Sequence, residues 1–193
     1  MVEKIKKIIE NSIATKQELL NQSEQIDLVV ELCVKALRKG NAIYWCGNGG
    51  SAADAQHLAA ELSGRFYYDR DPLPSDALHC NTSYITAVGN DYHYDVIYSR
   101  LLKGIGKRGD VLIGLSTSGK SKNVVNAFNE ANNMGIITIG FTGKNSNSFE
   151  NSCDFIINAP STDTPRIQEC HMLVGHIVCQ LIENKMFPNE TNV

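Results

Sequence analysis

His57 and Glu61, four apart in QHLAAEL, could share the work of moving a proton. On a helix that spacing puts an imidazole and a carboxylate on one face, where the carboxylate can serve as a general base. Leu58, Ala59, Ala60 and Leu62 make the surrounding turns apolar, so a partly buried Glu61 competes with the plainer reading of a solvated ion pair. Further along, PRIQECHMLVGHIVCQL carries Arg166, Gln168, Glu169, His171, His176 and Gln180 among apolar residues. A histidine in such company is most often a satisfied core or interface residue. Gln168 and His176 are eight apart, about 12 Å along a helix axis. They meet one ligand only if it lies between them; otherwise they serve sites on different subunits.

Two loops also carry chemistry. Gly47-Asn48-Gly49-Gly50-Ser51-Ala52 fits the dinucleotide pattern G-x-G-x-x-A, and Gly114-Leu115-Ser116-Thr117-Ser118-Gly119-Lys120-Ser121 fits the P-loop pattern G-x-x-x-x-G-K-[ST]. Both nucleotide readings fail on context. Gly114 lies inside the apolar run VLIGL rather than at a turn, and IITIGF ends in Phe-Thr-Gly with no magnesium-binding Asp. A ribose acid should close a second strand about 20 residues past the glycines, but Asp69 and Asp71 sit in a proline-containing connection. What survives is physical: each loop joins a strand to a helix N-terminus, where backbone N–H groups favour anions. Ser116, Thr117, Ser118 and Ser121 add four hydroxyls, which suits a phosphate monoester on a small molecule. Helix capping by Ser118 or Ser121 uses the same geometry and can coexist with it.

The elements that must position these groups follow from periodicity. Ile5, Ile8, Ile9 and Ile13 recur at helical spacing, so 2–20 reads as an amphipathic helix. A second helix starts at Ser23-Glu24 and ends at Gly40, with Ile26, Val29, Val30, Cys33, Ala36 and Leu37 on one face. AIYWC (42–46) is a buried strand, 52–63 a helix, 67–76 a turn-rich connection and DALHC a second strand. Short helices are expected on either side of Gly89-Asn90-Asp91. DVLIGLS (110–116), a helix ending at Gly135, IITIGF, DFIINAP and a last helix from about Thr164 to Met186 complete the chain. Alternating strands and helices predict an α/β fold with a parallel sheet and right-handed crossovers. Apolar residues on several sides of the last helix, together with the amphipathic first helix, predict burial in an oligomer.

Composition narrows the class. The 193 residues, 42% hydrophobic and 20% charged, suit one globular domain, with helices over about 2–40 and an α/β core over about 41–186. A net charge of −3 without a basic stripe speaks against nucleic acid as a partner. No apolar run approaches the roughly 20 residues that span a bilayer. MVEKIKKIIENS lacks the apolar block of a signal peptide, so a cytoplasmic location is expected. Cys33, Cys46, Cys80, Cys153, Cys170 and Cys179 form no C-x-x-C pair and read as buried thiols.

CGNGGSAADAQHLAAELSGRF, AVGND, GDVLIGLSTSGKS, TGK and RIQECHMLVGH, in that order, resemble the phosphoheptose isomerases of the SIS (sugar isomerase) superfamily over nearly the whole chain. The resemblance implies a three-layer, flavodoxin-like SIS fold and a homotetramer with active sites between subunits. It implies conversion of sedoheptulose 7-phosphate to D-glycero-D-manno-heptose 7-phosphate through an enediol, for activated heptose used in lipopolysaccharide or capsule. It assigns the phosphate to Ser116, Thr117, Ser118 and Ser121, and sugar contacts to Asn48, Gly49, Gly50, Asn90, Asp91 and Gln168. Glu61 and His176 become the catalytic pair, and His57, Glu61, Gln168 and His176 a zinc site. No redox or nucleotide cofactor is implied. Pro165 stands where some members carry a substrate-contacting Asp, a role that the displaced Asp163 does not inherit. A relative that binds the bacterial replication initiator shares the loops but lacks the equivalents of Glu61 and His176. A sugar-phosphate sensor would need an effector or DNA-binding domain as well.

Overall fold

The computed structural model describes residues 1–188; the last positions of the expected 1–193 domain lie outside the described residues. Five strands form one wholly parallel sheet: β1 (Ile43–Gly47), β2 (Ser75–Ala77), β3 (Val111–Ser116), β4 (Ile137–Thr142) and β5 (Phe155–Asn158), in the order β2-β1-β3-β4-β5. This is the flavodoxin-like doubly wound order, whose direction reverses between β1 and β3. The crevice at that reversal lies past the carboxyl ends of β1 and β3, and both sequence-predicted loops begin there.

Side chains alternate across the sheet, as strand geometry requires. Ile43, Trp45, Val111, Ile113, Leu115, Ile139, Phe141 and Ile157 enter one core with helices α2 (Ser23–Arg38), α3 (Gly50–Ser63) and α7 (Thr164–Met186). Cys46 and Leu112 enter the other, beneath α4 (Thr82–Asp91), α5 (Ile97–Ile105) and α6 (Lys122–Met134). Each face is therefore covered, which explains the continuous burial of β3.

Gly114 lies in register with Gly140 on the neighbouring strand. A Cβ at Gly114 would lie 2.5 Å from Phe128, and one at Gly140 would lie 2.6 Å from Phe149. The two rings pack edge to face, with centroids 5.0 Å apart. Gly114 is thus a packing residue inside a strand, which disposes of the P-loop match on physical grounds. Asp69 and Asp71 are exposed and close no strand, so the dinucleotide match lacks its acid as well.

Three local expectations need correction. DALHC forms only a short edge strand, Ser75–Ala77, and turns away after Leu78. Gly89-Asn90-Asp91 is the last turn of α4 rather than a break between helices. Among the cysteines, Cys33, Cys46, Cys170 and Cys179 are buried and Cys153 is half-buried, but Cys80 is exposed. The first helix, α1 (Val2–Leu19), buries only Leu19, and it leaves Ile5, Ile8, Ile9 and Ile13 at 50%, 45%, 54% and 52% exposure. No helix of the described residues is long and apolar enough to cross a membrane.

Candidate active site

At the end of β3 the chain turns through Thr117-Ser118-Gly119-Lys120 into α6. Gly119 takes φ +62°, and its N–H donates to the Ser116 carbonyl at 3.1 Å. Ser121 occupies the N-cap position, yet its hydroxyl makes no capping bond and lies 2.9 Å from the Ser116 hydroxyl. Ser118 Oγ accepts from the Lys120 N–H at 3.3 Å. The hydroxyls thus cluster at a helix N-terminus, where an anion is favoured.

The adjoining pocket, about 200 Å³, is walled by Thr117, Ser118, Lys120, Lys144, Ser161 and Thr162. Gly143 permits the close approach, since a Cβ there would lie 2.8 Å from the Thr117 carbonyl oxygen. Asn147, at φ +49°, donates to the Ser118 carbonyl at 2.9 Å and fastens the second wall to the first. Sequence reading missed Lys144, Ser161 and Thr162, because they arrive from two other connections.

The glycine loop follows β1. Tyr98 of α5 donates its hydroxyl to the Gly47 carbonyl and fixes the strand end. Gly49 has φ +57°, a conformation that favours glycine. Gly50 begins α3, and a Cβ there would lie 2.6 Å from Gln168 Nε2, so loop and last helix touch at a site with no room for a side chain. The Asn48 amide faces Asn123 of α6 and the Tyr94 hydroxyl. Asn90 and Asp91 are exposed and bond to each other at 2.8 Å. It is Tyr94, just beyond them, that touches the glycine loop.

His57 and Glu61 do lie on one face of α3, with Nε2 and Oε1 2.9 Å apart. The Glu61 side chain is 23% exposed, so the partly buried reading holds. Gly175 of α7 packs so closely on Leu58 that a Cβ would overlap it, and this contact brings the next residue, His176, against α3. His176 Nε2 lies 3.4 Å from His57 Nε2, and the Phe66 ring backs His176 at 5.8 Å. Gln168 and His176 line one groove of about 600 Å³, together with Asp54 and Met172. Both reach the same groove from a single chain.

Asp54 was missed, although 54, 57 and 61 follow an i, i+3, i+7 pattern on one helix face. Burial raises its carboxyl above the ordinary range, an effect that His57 partly offsets, and its Oδ2 is buried without a hydrogen-bond partner.

A buried ion pair braces this end. Arg70 and Glu183, both fully buried, meet at 2.8 Å. Arg70 also donates to the carbonyls of Glu61 and Leu62 at the end of α3. Glu183 accepts from the N–H groups of Phe66, Tyr67 and Tyr68. Burial pushes the Glu183 carboxyl up, but these donors together outweigh it and hold the group below the usual carboxylate range.

His57, Glu61 and His176 present donor atoms within 4.8 Å of one another and could hold a metal ion. Two nitrogens bound to one tetrahedral zinc at about 2.0–2.1 Å stand about 3.3 Å apart, close to the observed histidine gap. Gln168 stands beside the same groove, against Gly50.

Residues 5–143 match the SIS domain family. The phosphoheptose isomerase of Clostridium acetobutylicum is 49% identical over 182 residues, covering 93% of each chain. That of Aneurinibacillus thermoaerophilus is 46% identical over 189 residues, 96% of each. Among solved structures, the phosphoheptose isomerase from Neisseria gonorrhoeae superposes with a TM-score of 0.89 at 38% identity, covering 94% of this chain and 98% of that one. The one from Francisella tularensis gives 0.91 at 33% identity, covering 95% and 98%.

Proposed function

The chain belongs to the phosphoheptose isomerase family of SIS-domain proteins, and on that premise we propose that its cleft converts sedoheptulose 7-phosphate to D-glycero-D-manno-heptose 7-phosphate. The observation that carries the reading is the meeting of Glu61 with His57 and His176 where α3 packs on α7, in a chain whose hydroxyl-lined helix N-terminus after β3 suits a phosphate. The phosphate is assigned to Ser116, Thr117, Ser118 and Ser121. The sugar is assigned to the backbone at Asn48, Gly49 and Gly50, to Gln168, and to Asn90 and Asp91.

Glu61 takes the proton from C1 of the open-chain ketose while the C2 oxygen gains one, which gives the enediol. It returns the proton to C2 as the C1 hydroxyl loses its own and the aldehyde forms. His176 carries protons between the two oxygens and assists ring opening. The balance is that of an isomerisation and calls for no redox or nucleotide cofactor.

His57, Glu61 and His176, with Gln168 alongside, suit zinc by donor type and spacing. A bound zinc ion would polarise the carbonyl or hold the hydroxyls. A carboxylate engaged by a metal is a weaker base, so the two roles of Glu61 compete.

One SIS domain over 1–193, a homotetramer with intersubunit sites, a cytoplasmic location and a product destined for lipopolysaccharide or capsule heptose complete the reading. The half-exposed isoleucine stripe of α1 supports self-association.

The deciding experiment is a product assay with sedoheptulose 7-phosphate. Wild type should turn over, and Glu61→Gln should lose at least about 100-fold in kcat, the scale of a general base. An unimpaired Glu61→Gln overturns the mechanism. A folded but inactive wild type instead favours a binding or sensor protein built on the same phosphate loop.

A further inference from the structure

We propose that Asn123, to which the isomerase reading assigns no role, is the positioning residue that locks the sugar-contacting loop to the phosphate-binding helix; this rests on that reading. Asn123 lies in the first turn of α6, directly after the serine loop, and is 3% exposed. Its Nδ2 donates to Asn48 Oδ1 at 2.8 Å, and Asn48 Nδ2 donates back to Asn123 Oδ1 at 2.8 Å. The orientation of the pair is set by one further partner, an obligatory donor. Asn123 Oδ1 also accepts the Val124 N–H at 3.0 Å, so it must be the oxygen. Asn48 Oδ1 accepts the Tyr94 hydroxyl at 3.1 Å.

Three segments therefore meet at one amide pair. They are the glycine loop through Asn48, the start of the phosphate helix through Asn123, and the connection after Asn90-Asp91 through Tyr94. The Asn48 side chain is committed to this junction, so the loop meets a sugar with the backbone at Gly49 and Gly50. A phosphate seated at α6 and a sugar carbon skeleton seated at the glycine loop are then held in one fixed register. Asn123 touches neither reacting carbon; it acts through Asn48.

The test is the assay above with Asn123→Ala, Asn48→Ala, the double variant and Tyr94→Phe, with inorganic phosphate as competitive inhibitor. Wild-type turnover establishes the isomerase reading independently. Asn123→Ala should lose on the order of 10- to 100-fold in kcat/KM, the scale of orphaning a buried amide. Its phosphate inhibition constant should stay within about threefold of wild type. The double variant should be no more than about threefold worse than Asn48→Ala, because coupled residues are not additive. Tyr94→Phe, which removes an exposed contact and leaves the core alone, should lose about three- to tenfold. Unchanged kcat/KM in Asn123→Ala overturns the proposal. So does an equal loss of phosphate inhibition, which would mark damage to the helix start alone. Additive losses in the double variant would show that Asn123 does not act through Asn48. If Asn123→Ala does not fold, full activity in Tyr94→Phe counts against the junction.

Discussion

The serine loop and the His57–Glu61–His176 cluster are built in opposite ways. One strand, one turn and one helix deliver Ser116 to Ser121 from six consecutive positions. The cluster draws His57 and His176 from helices 119 positions apart. Its spacing is set by Leu58 against Gly175 and by the buried Arg70–Glu183 brace. The anion site inherits its geometry from a helix start, whereas the acid–base site is only as good as the packing of α3 on α7. Damage to the second should therefore leave the first intact.

The strongest test of that contrast is Glu183→Ala. It strands the Arg70 guanidinium in the core and should cost about 3–5 kcal/mol in urea unfolding. Among molecules still folded, turnover should collapse while inorganic phosphate still binds. Loss of phosphate binding in step with turnover would erase the distinction. Gly175→Ala is the subtler version: overpacking against Leu58 should cost about 1–3 kcal/mol, separate His57 from His176, and lower kcat more than it raises KM. Ser121→Ala probes the other end and should raise KM about tenfold, the scale of one charge-assisted hydrogen bond, with kcat kept. A large kcat effect there would tie the two ends together.

The smallest effect concerns His171, which lies on α7 between Gln168 and His176 but faces away from the groove, against Phe141 and the Thr142 carbonyl. Burial lowers its imidazole to about 4 from an ordinary 6.5. Between those values the unfolded chain binds a proton that the folded chain refuses, so stability falls as pH drops from about 6.5 towards 4. Unfolding curves across that range should show the slope, and His171→Gln should flatten it. An unchanged slope would place the titration elsewhere.

Much of this was legible in the chain because it is local. Helical and strand periodicity marked the parallel sheet, and Thr164–Met186 matches the expected last helix. The spacing of His57 and Glu61 placed them on one face before any fold was known. What escaped was non-local. Arg70 sat in a stretch that reads as a turn, and its partner lies 113 positions away. Lys144 joins the serine pocket only because Gly143 lets three segments converge. Asn123 resembled an ordinary polar residue in a helix start until Asn48 appeared opposite it. The expectation for β2 ran too long because its flanking residues turn off the sheet edge, and nothing in DALHC signals an edge.

Gly114 has a consequence for anyone altering this chain. It and Gly140 form a trough in the sheet that accommodates the Phe128–Phe149 ring pair. Positions 114 and 128 therefore exchange volume. Gly114→Ala should be rejected alone and accepted only when Phe128 is trimmed to leucine and Val124, whose Cγ1 would lie 2.6 Å from the new Cβ, is trimmed to alanine. The glycine that completes a nucleotide signature is measuring the width of an aromatic ring on the helix above it. A variant that kept both glycine and ring but lost the lysine of that signature would keep its sheet unchanged.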